Sequence, residues 1–342
     1  MTAEWKPDVL GPPFAQRTLP LGTDSDGEVV ATLVRREPSA WDSLVGALRD
    51  VDVLYVHGWS DCFFQVELAR FWCDLGARFH ALDLRAYGRS LREGQIPGYV
   101  TDLTVYDEDI AAALTAIGHD PASDAPRRRR LVLLGHSTGG LTLTLWAARH
   151  PGFADALVLN SPWLELQTGP FARQALLPLI EARARWDPLG AHPEVDLGFY
   201  TRAQRETGAL PGEAIPAAWR PERGFPTHPG WLRAVVRGHA TVAAGIETGC
   251  PTLVLISARS SSPLSWSEQA LTSDSVLVVD EIARAATRVG SDVTLRRVDG
   301  ALHDVFLSAE PARAEAYRGL REWLVDGAVR RRAPRGTLAP PH

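Results

Sequence analysis

Gly135-His136-Ser137-Thr138-Gly139 sets a serine between two glycines, with Gly140 directly after. A serine hydroxyl becomes a useful nucleophile only when a base takes its proton, a carboxylate orients that base, and hydrogen-bond donors receive the oxyanion. Gly-x-Ser-x-Gly meets the first need where it joins a strand to a helix, because the sharp turn exposes the hydroxyl. The flanks have that form: Leu131-Val132-Leu133-Leu134 reads as a strand buried on both faces, and Leu141, Leu145 and Ala148 follow at helical spacing. Gly135 and Gly139 leave room where strand and helix close together, and the helix N-terminus favours developing negative charge. A plain Ser/Thr/Gly loop would carry the same motif. A phosphate loop would not: Gly135, Gly140 and Thr142 suit its spacing, but Leu141 stands where the lysine is needed.

The chain order expected with such an elbow is serine, then acid, then histidine. His303 lies in Asp299-Gly300-Ala301-Leu302-His303-Asp304, the loop after an expected last strand at Asp292 to Val298, and is the expected base. Asp274 is the favoured acid, although its place before a helical stripe at Val276, Val279, Ile282, Ala286 and Val289 also suits a simple N-cap. Asp280 inside that helix and Asp299 just ahead of the base stay open, and Asp304 is expected to face elsewhere. The oxyanion donors are expected to be the backbone N–H groups of Thr138 and of Trp59, in His57-Gly58-Trp59. His57, Gly58, Gly135, His136 and Gly139 are expected to support these loops. No metal site is expected.

Other elements must hold these loops in place. Phe14 to Pro20 and Glu28 to Arg35 read as an antiparallel hairpin after an irregular arm at 1–13. Strands at Val51 to Val56, Arg78 to Asp83 and Ala156 to Asn160 alternate with helices traced by Phe64, Leu68, Phe71, Trp72 and Leu75, and by Tyr106, Ile110, Leu114 and Ile117. Asp61 is the expected N-cap of the first helix. That rhythm predicts an α/β fold with a mostly parallel sheet. It breaks at 166–231, a proline-rich and aromatic stretch read as a cap over the strand ends. Helical pattern resumes at Leu232 to Ile246, a strand follows at Pro251 to Ser257, and a helix containing Tyr317, Leu320 and Leu324 closes the fold. The expected division is a core of 1–165 and 232–327, a cap of 166–231 and a disordered tail of 328–342.

A formal charge of −5 and a pI near 6.1 give no reason to expect nucleic acid or an anionic membrane as partner. Three cysteines, Cys62, Cys73 and Cys250, argue against a disulfide framework and suit a reducing compartment. The first residues lack a basic stretch followed by an apolar run, and no uninterrupted apolar run is long enough to span a bilayer. The expectation is a cytoplasmic protein. Nothing in the sequence fixes its oligomeric state.

Taken together, His57-Gly58-Trp59, Asp83-Leu84-Arg85-Ala86-Tyr87-Gly88-Arg89-Ser90, the elbow at Ser137 and Gly300-Ala301-Leu302-His303 resemble the α/β-hydrolase superfamily. Within it the chain is most similar to the lysophospholipase and monoacylglycerol-lipase-like branch, also labelled serine aminopeptidase-like, over roughly 28–327. The resemblance implies an eight-stranded sheet, a cap after the sixth strand, no cofactor, and cleavage of esters with an acyl or lipid-like portion. It also implies Ser137 as nucleophile, Asp274 as acid, His303 as base, and Trp59 and Thr138 as oxyanion donors. Two features depart from the pattern: Ala86 replaces a common glycine, a change expected to alter a turn, and the loop after Ile256 is longer and richer in serine. A small-residue aminopeptidase, a perhydrolase, and a non-catalytic binder on the same fold are the alternatives.

Overall fold

Val53 and Tyr55 are buried against one face of the sheet, and Leu54 and Val56 against the other. Such a strand needs helices on both sides, which is why its apolar run shows no alternation. The computed structural model describes residues 4–123, 125–167, 170–190, 198–210, 214–261 and 265–328. Among them one sheet contains β1 (Lys6–Pro7), β2 (Ala15–Asp24), β3 (Gly27–Arg36), β4 (Val51–Val56), β5 (Arg78–Asp83), β6 (Arg130–His136), β7 (Ala156–Asn160), β8 (Thr252–Ser257) and β9 (Val293–Val298). Their order is β1-β2-β3-β5-β4-β6-β7-β8-β9. The strands from β5 across to β9 are parallel, and β1, β2 and β3 extend that sheet by antiparallel pairing.

The sheet therefore has nine strands where eight were expected. The additional one, β1, pairs Lys6 with Gln16 and Pro7 with Ala15, and two residues are too few to show a period. The arm that carries it is anchored as well: buried Asp8 accepts two hydrogen bonds from Arg89, from Nε at 2.6 Å and from Nη2 at 2.8 Å.

The helices are α1 (Ala40–Val45), α2 (Val66–Asp74), α3 (Tyr106–Ala116), α4 (Thr138–Arg149), α5 (Pro170–Trp186), α6 (Phe199–Glu206), α7 (Pro229–Ala243), α8 (Val279–Ala286) and α9 (Ala312–Glu322). Leu68 and Trp72 of α2 pack with Ala316 and Leu320 of α9 on one face. Ile110 of α3, Leu141 of α4, Val235 of α7 and Ile282 of α8 pack on the other. Each large apolar side chain so buried contributes about 1.5–3 kcal/mol. Helix α2 begins at Val66, with Gln65 rather than Asp61 at its N-cap. The Asp61 carboxylate is engaged elsewhere, accepting from Cys62 N–H and from Arg220. Helix α7 starts at Pro229, a residue suited to a first turn, three residues before the expected Leu232.

The chain leaves β4 for one face and β6 for the other. These neighbouring strands frame the switch point, where open α/β sheets carry their ligand crevices. The tail beyond Ala328 lies outside the described residues, as do 168–169, 191–197 and 211–213 of the expected cap.

Candidate active site

Ser137 joins β6 to α4 at φ 52 and ψ −117, a conformation that costs a non-glycine residue about 1–3 kcal/mol. Its surroundings hold it there. Ser137 N–H donates to Asn160 O at 3.0 Å, while Ser137 O accepts from Trp163 N–H at 3.0 Å and Leu141 N–H at 3.2 Å. The glycines are required by close approach. A β-carbon on Gly135 would lie 2.6 Å from Gly140 Cα, and one on Gly139 would overlap the carbonyl oxygens of His57 and Val56. At Gly58 it would come within 3.1 Å of Ser137 Cβ, so the β4 loop and the elbow touch.

His303 follows β9, and its Nδ1 is 2.9 Å from Asp274 Oδ2, with both side chains buried. The other Asp274 oxygen accepts from Val276 N–H at 2.8 Å and Leu277 N–H at 2.7 Å. Asp274 therefore caps the turn ahead of α8 and also orients an imidazole. The serine-rich loop returns to the end of β8 by pairing Ser260 with Asp274, with Asp274 N–H donating to Arg259 O at 2.9 Å. Its residues 262–264 lie outside the described residues. The other candidate acids point away from the imidazole. Asp280 pairs with Arg297 at 2.6 Å, and Asp299 pairs with Arg259 at 2.6 Å.

His136 packs its ring 4.9 Å from that of His303, so the residue beside Ser137 and the β9 loop meet. Its Nδ1 is 3.1 Å from Asn160 O, and burial holds its pKa below the usual histidine value. His57 ties two loops together. Its Nδ1 is 2.8 Å from Gly58 O, its Nε2 accepts from Leu84 N–H at 3.2 Å, and burial lowers its pKa. Thr138 opens α4, where helical N–H groups lack intrahelical partners, and Trp59 follows Gly58 with its ring 3.6 Å from that of Trp231.

The segment Asp83 to Ser90 supports this assembly from below. Asp83 accepts from Phe63 N–H at 2.8 Å and pairs with Arg89 at 2.9 Å, fixing the chain just beyond the His57 loop. Ala86 takes φ 58, a left-handed turn that glycine would adopt without strain, as the altered motif implied.

Several positioning residues escape sequence reasoning. Asp304 does face away from the imidazole, but it accepts from Asn160 Nδ2 at 2.6 Å, Phe306 N–H at 3.0 Å and Gln65 Nε2 at 3.3 Å. It thereby joins β7, the start of α2 and the histidine loop. Asn160, a polar residue ending an apolar strand, was the available signal. Tyr200 of α6 accepts from Asp304 N–H at 3.1 Å and sets its ring edge-on to His303 at 5.4 Å. Arg220 pairs with Asp61 at 3.0 Å and also bonds Gln204. Burial raises the Asp61 pKa, opposed by Arg220 and His136. Nothing near Tyr200 or Arg220 in the sequence distinguishes them from other aromatic or basic residues of the insert.

A family model described as "Serine aminopeptidase, S33" matches residues 50–310. The chain belongs to that family. Solved structures with the same fold agree with this membership of the α/β-hydrolase superfamily. One is a soluble variant of monoglyceride lipase from Saccharomyces cerevisiae in complex with a substrate analog, at TM-score 0.63 and 14% identity over 91% of this chain and 96% of that one. Another is the monoacylglycerol lipase of Paleococcus ferrophilus, at TM-score 0.58 and 19% identity over 87% of this chain and 99% of that one. Among curated relatives, "Lysophospholipase L2" of Escherichia coli is 33% identical over 124 residues, 35% of each chain. "Monoacylglycerol lipase" of Mycolicibacterium smegmatis is 37% identical over 94 residues, 28% of this chain and 31% of that one. The chain thus spans about a third of the length of the curated relatives it matches. Like the expected core, the serine aminopeptidase family match runs through the elbow, the Asp274 loop and His303. Among the described residues no helix is long and apolar enough to cross a membrane, and no group of three or more His, Cys, Asp or Glu could hold a metal ion. Cys62, Cys73 and Cys250 are all buried, and none of them forms a disulfide.

Proposed function

We propose that this protein is a serine hydrolase of carboxylic esters that forms an acyl-enzyme on Ser137. The observation that carries the reading is the buried 2.9 Å pair of His303 Nδ1 and Asp274 Oδ2, whose ring packs against the neighbour of a strained elbow serine. Asp274 fixes the tautomer with hydrogen on Nδ1, which leaves Nε2 to accept the Ser137 proton. The Ser137 oxygen attacks the ester carbonyl, and the oxyanion takes hydrogen bonds from the Thr138 N–H at the positively polarised start of α4 and from the Trp59 N–H in the loop after β4. The tetrahedral adduct collapses as His303 returns the proton to the departing alcohol. Water activated by His303 then releases the acid and frees Ser137.

Small-molecule or lipid-like esters are the proposed substrates, in keeping with the names of the relatives. The reaction as written needs no cofactor, metal, nucleic acid or membrane span, and a cytoplasmic setting remains our reading of the composition. The aminopeptidase alternative would call for an acidic group to receive a free amine. Asp61, the buried carboxylate beside the oxyanion loop, is already paired with Arg220. The test is Ser137→Ala, which should abolish hydrolysis of short p-nitrophenyl esters while the thermal melt stays within a few degrees of wild type. Retained turnover in that variant, or none in the wild type, would contradict the proposal.

A further inference from the structure

Three consecutive residues of the loop after β4 are each held by the insert. The Trp59 ring lies edge-on to that of Phe225 at 6.1 Å and 3.6 Å from that of Trp231. Ser60 Oγ accepts from Phe225 N–H at 2.9 Å. Asp61 Oδ1 accepts from Arg220 Nε at 3.0 Å, and both of those side chains are largely buried. The Arg220 guanidinium also bonds Gln204 and lies 5.0 Å from the Phe64 ring.

This loop has little of its own to hold it. Between β4 and α2 the chain forms neither helix nor strand. Ser60 takes φ 53, in the left-handed region that side-chain-bearing residues seldom adopt. The two proposed oxyanion donors are therefore held in different ways. Thr138 N–H belongs to the first turn of α4, so its direction follows from the helix. Trp59 N–H sits in an irregular loop whose next two residues are tied to chain 165 and 159 positions away.

We propose that Arg220 is a positioning residue: through Asp61 it holds the loop in the geometry that presents the Trp59 N–H to the oxyanion. Phe225 does the same through Ser60, and Trp231 through the Trp59 ring. The seated insert thereby completes the oxyanion hole. The inference rests on the ester-hydrolase reading and deepens it by naming what sets the second donor.

The test compares p-nitrophenyl acetate with its thiono analogue, in which sulfur replaces the carbonyl oxygen and accepts hydrogen bonds poorly. Each rate is normalised to that ester's hydroxide-catalysed hydrolysis. In Arg220→Met kcat for the oxygen ester should fall about tenfold to a hundredfold, as for a donor misplaced rather than removed, with KM changed less than about twofold. The oxygen-to-sulfur ratio of kcat/KM should shrink by a similar factor, because sulfur draws little from the Trp59 N–H. Arg220→Lys keeps the cation and should recover part of both losses. Ser60→Gly adopts the same φ without strain but loses the bond from Phe225, and it should shrink the ratio by a smaller factor. If Arg220→Met melts early, adding Asp61→Asn removes the unpaired buried charge, and the ratio should still shrink. A wild-type oxygen-to-sulfur ratio in the folded variant, whatever its kcat, or a rise in KM alone, would overturn the proposal and leave the hydrolase reading standing. No turnover of either ester by the wild type, together with no fluorophosphonate adduct on Ser137, would remove the hydrolase reading and this inference with it.

Discussion

The two halves of the candidate site are held by different forces. The nucleophile half is one continuous stretch, β6 through the first turn of α4, and close backbone approach fixes its geometry against the β4 loop: Gly135 and Gly139, and Gly58 in the facing loop, each lie where a β-carbon would meet another atom. The acid–base half is assembled from loops after β8 and β9 and is fixed by buried polar contacts, Asp274 with His303 and Asp304 with Asn160 and Gln65. Steric positioning tolerates almost no substitution but needs only local sequence. Polar positioning tolerates graded change, because each hydrogen bond can be weakened separately.

Breaking the central polar contact should have the largest effect. Asp274→Asn keeps the shape but leaves an amide that can favour the wrong His303 tautomer, and kcat should fall about 10⁴-fold, as in the serine-protease triad. A loss below about tenfold would place the acid elsewhere. On the steric side, Gly139→Ala drives a methyl into the His57 and Val56 carbonyls. Chemical denaturation should show a loss of about 3 kcal/mol or more, at the upper end for over-packing. A stability change under about 1 kcal/mol would mean that β4 and α4 can separate more easily than their spacing indicates. Asp304→Asn should have the smallest effect, since an amide oxygen still accepts part of the network. Losing one charge-assisted bond suggests a fall in kcat of about tenfold with KM nearly unchanged. A rise in KM with kcat unchanged would show that Asp304 acts on binding rather than on the His303 loop.

The same contrast explains what could be read from the sequence. Ser137, Gly135 and Gly139 were legible because strand, turn and helix follow one another, and local sterics leave a local signature. His303 was legible from its place after the last strand. Asp274 could be favoured but not separated from Asp280 and Asp299, since only the folded loop shows Ser260 pairing with Asp274 while Arg297 and Arg259 engage the other two. Asp61 reads as a helix cap by type and position, yet an arginine 159 residues later claims it. Strand β1 was invisible because two residues carry no periodicity, and Tyr200 because nothing in its neighbourhood announces a contact with a loop 104 residues away.

The central claim is that Ser137 is activated by the His303–Asp274 pair. Incubation with a fluorophosphonate, followed by digestion and peptide mass mapping of the wild type and of His303→Ala, tests it most directly. The account predicts a single phosphonyl adduct on Ser137 in the wild type and none in His303→Ala over the same period. An adduct on another serine, or equal labelling of Ser137 in both proteins, would contradict it.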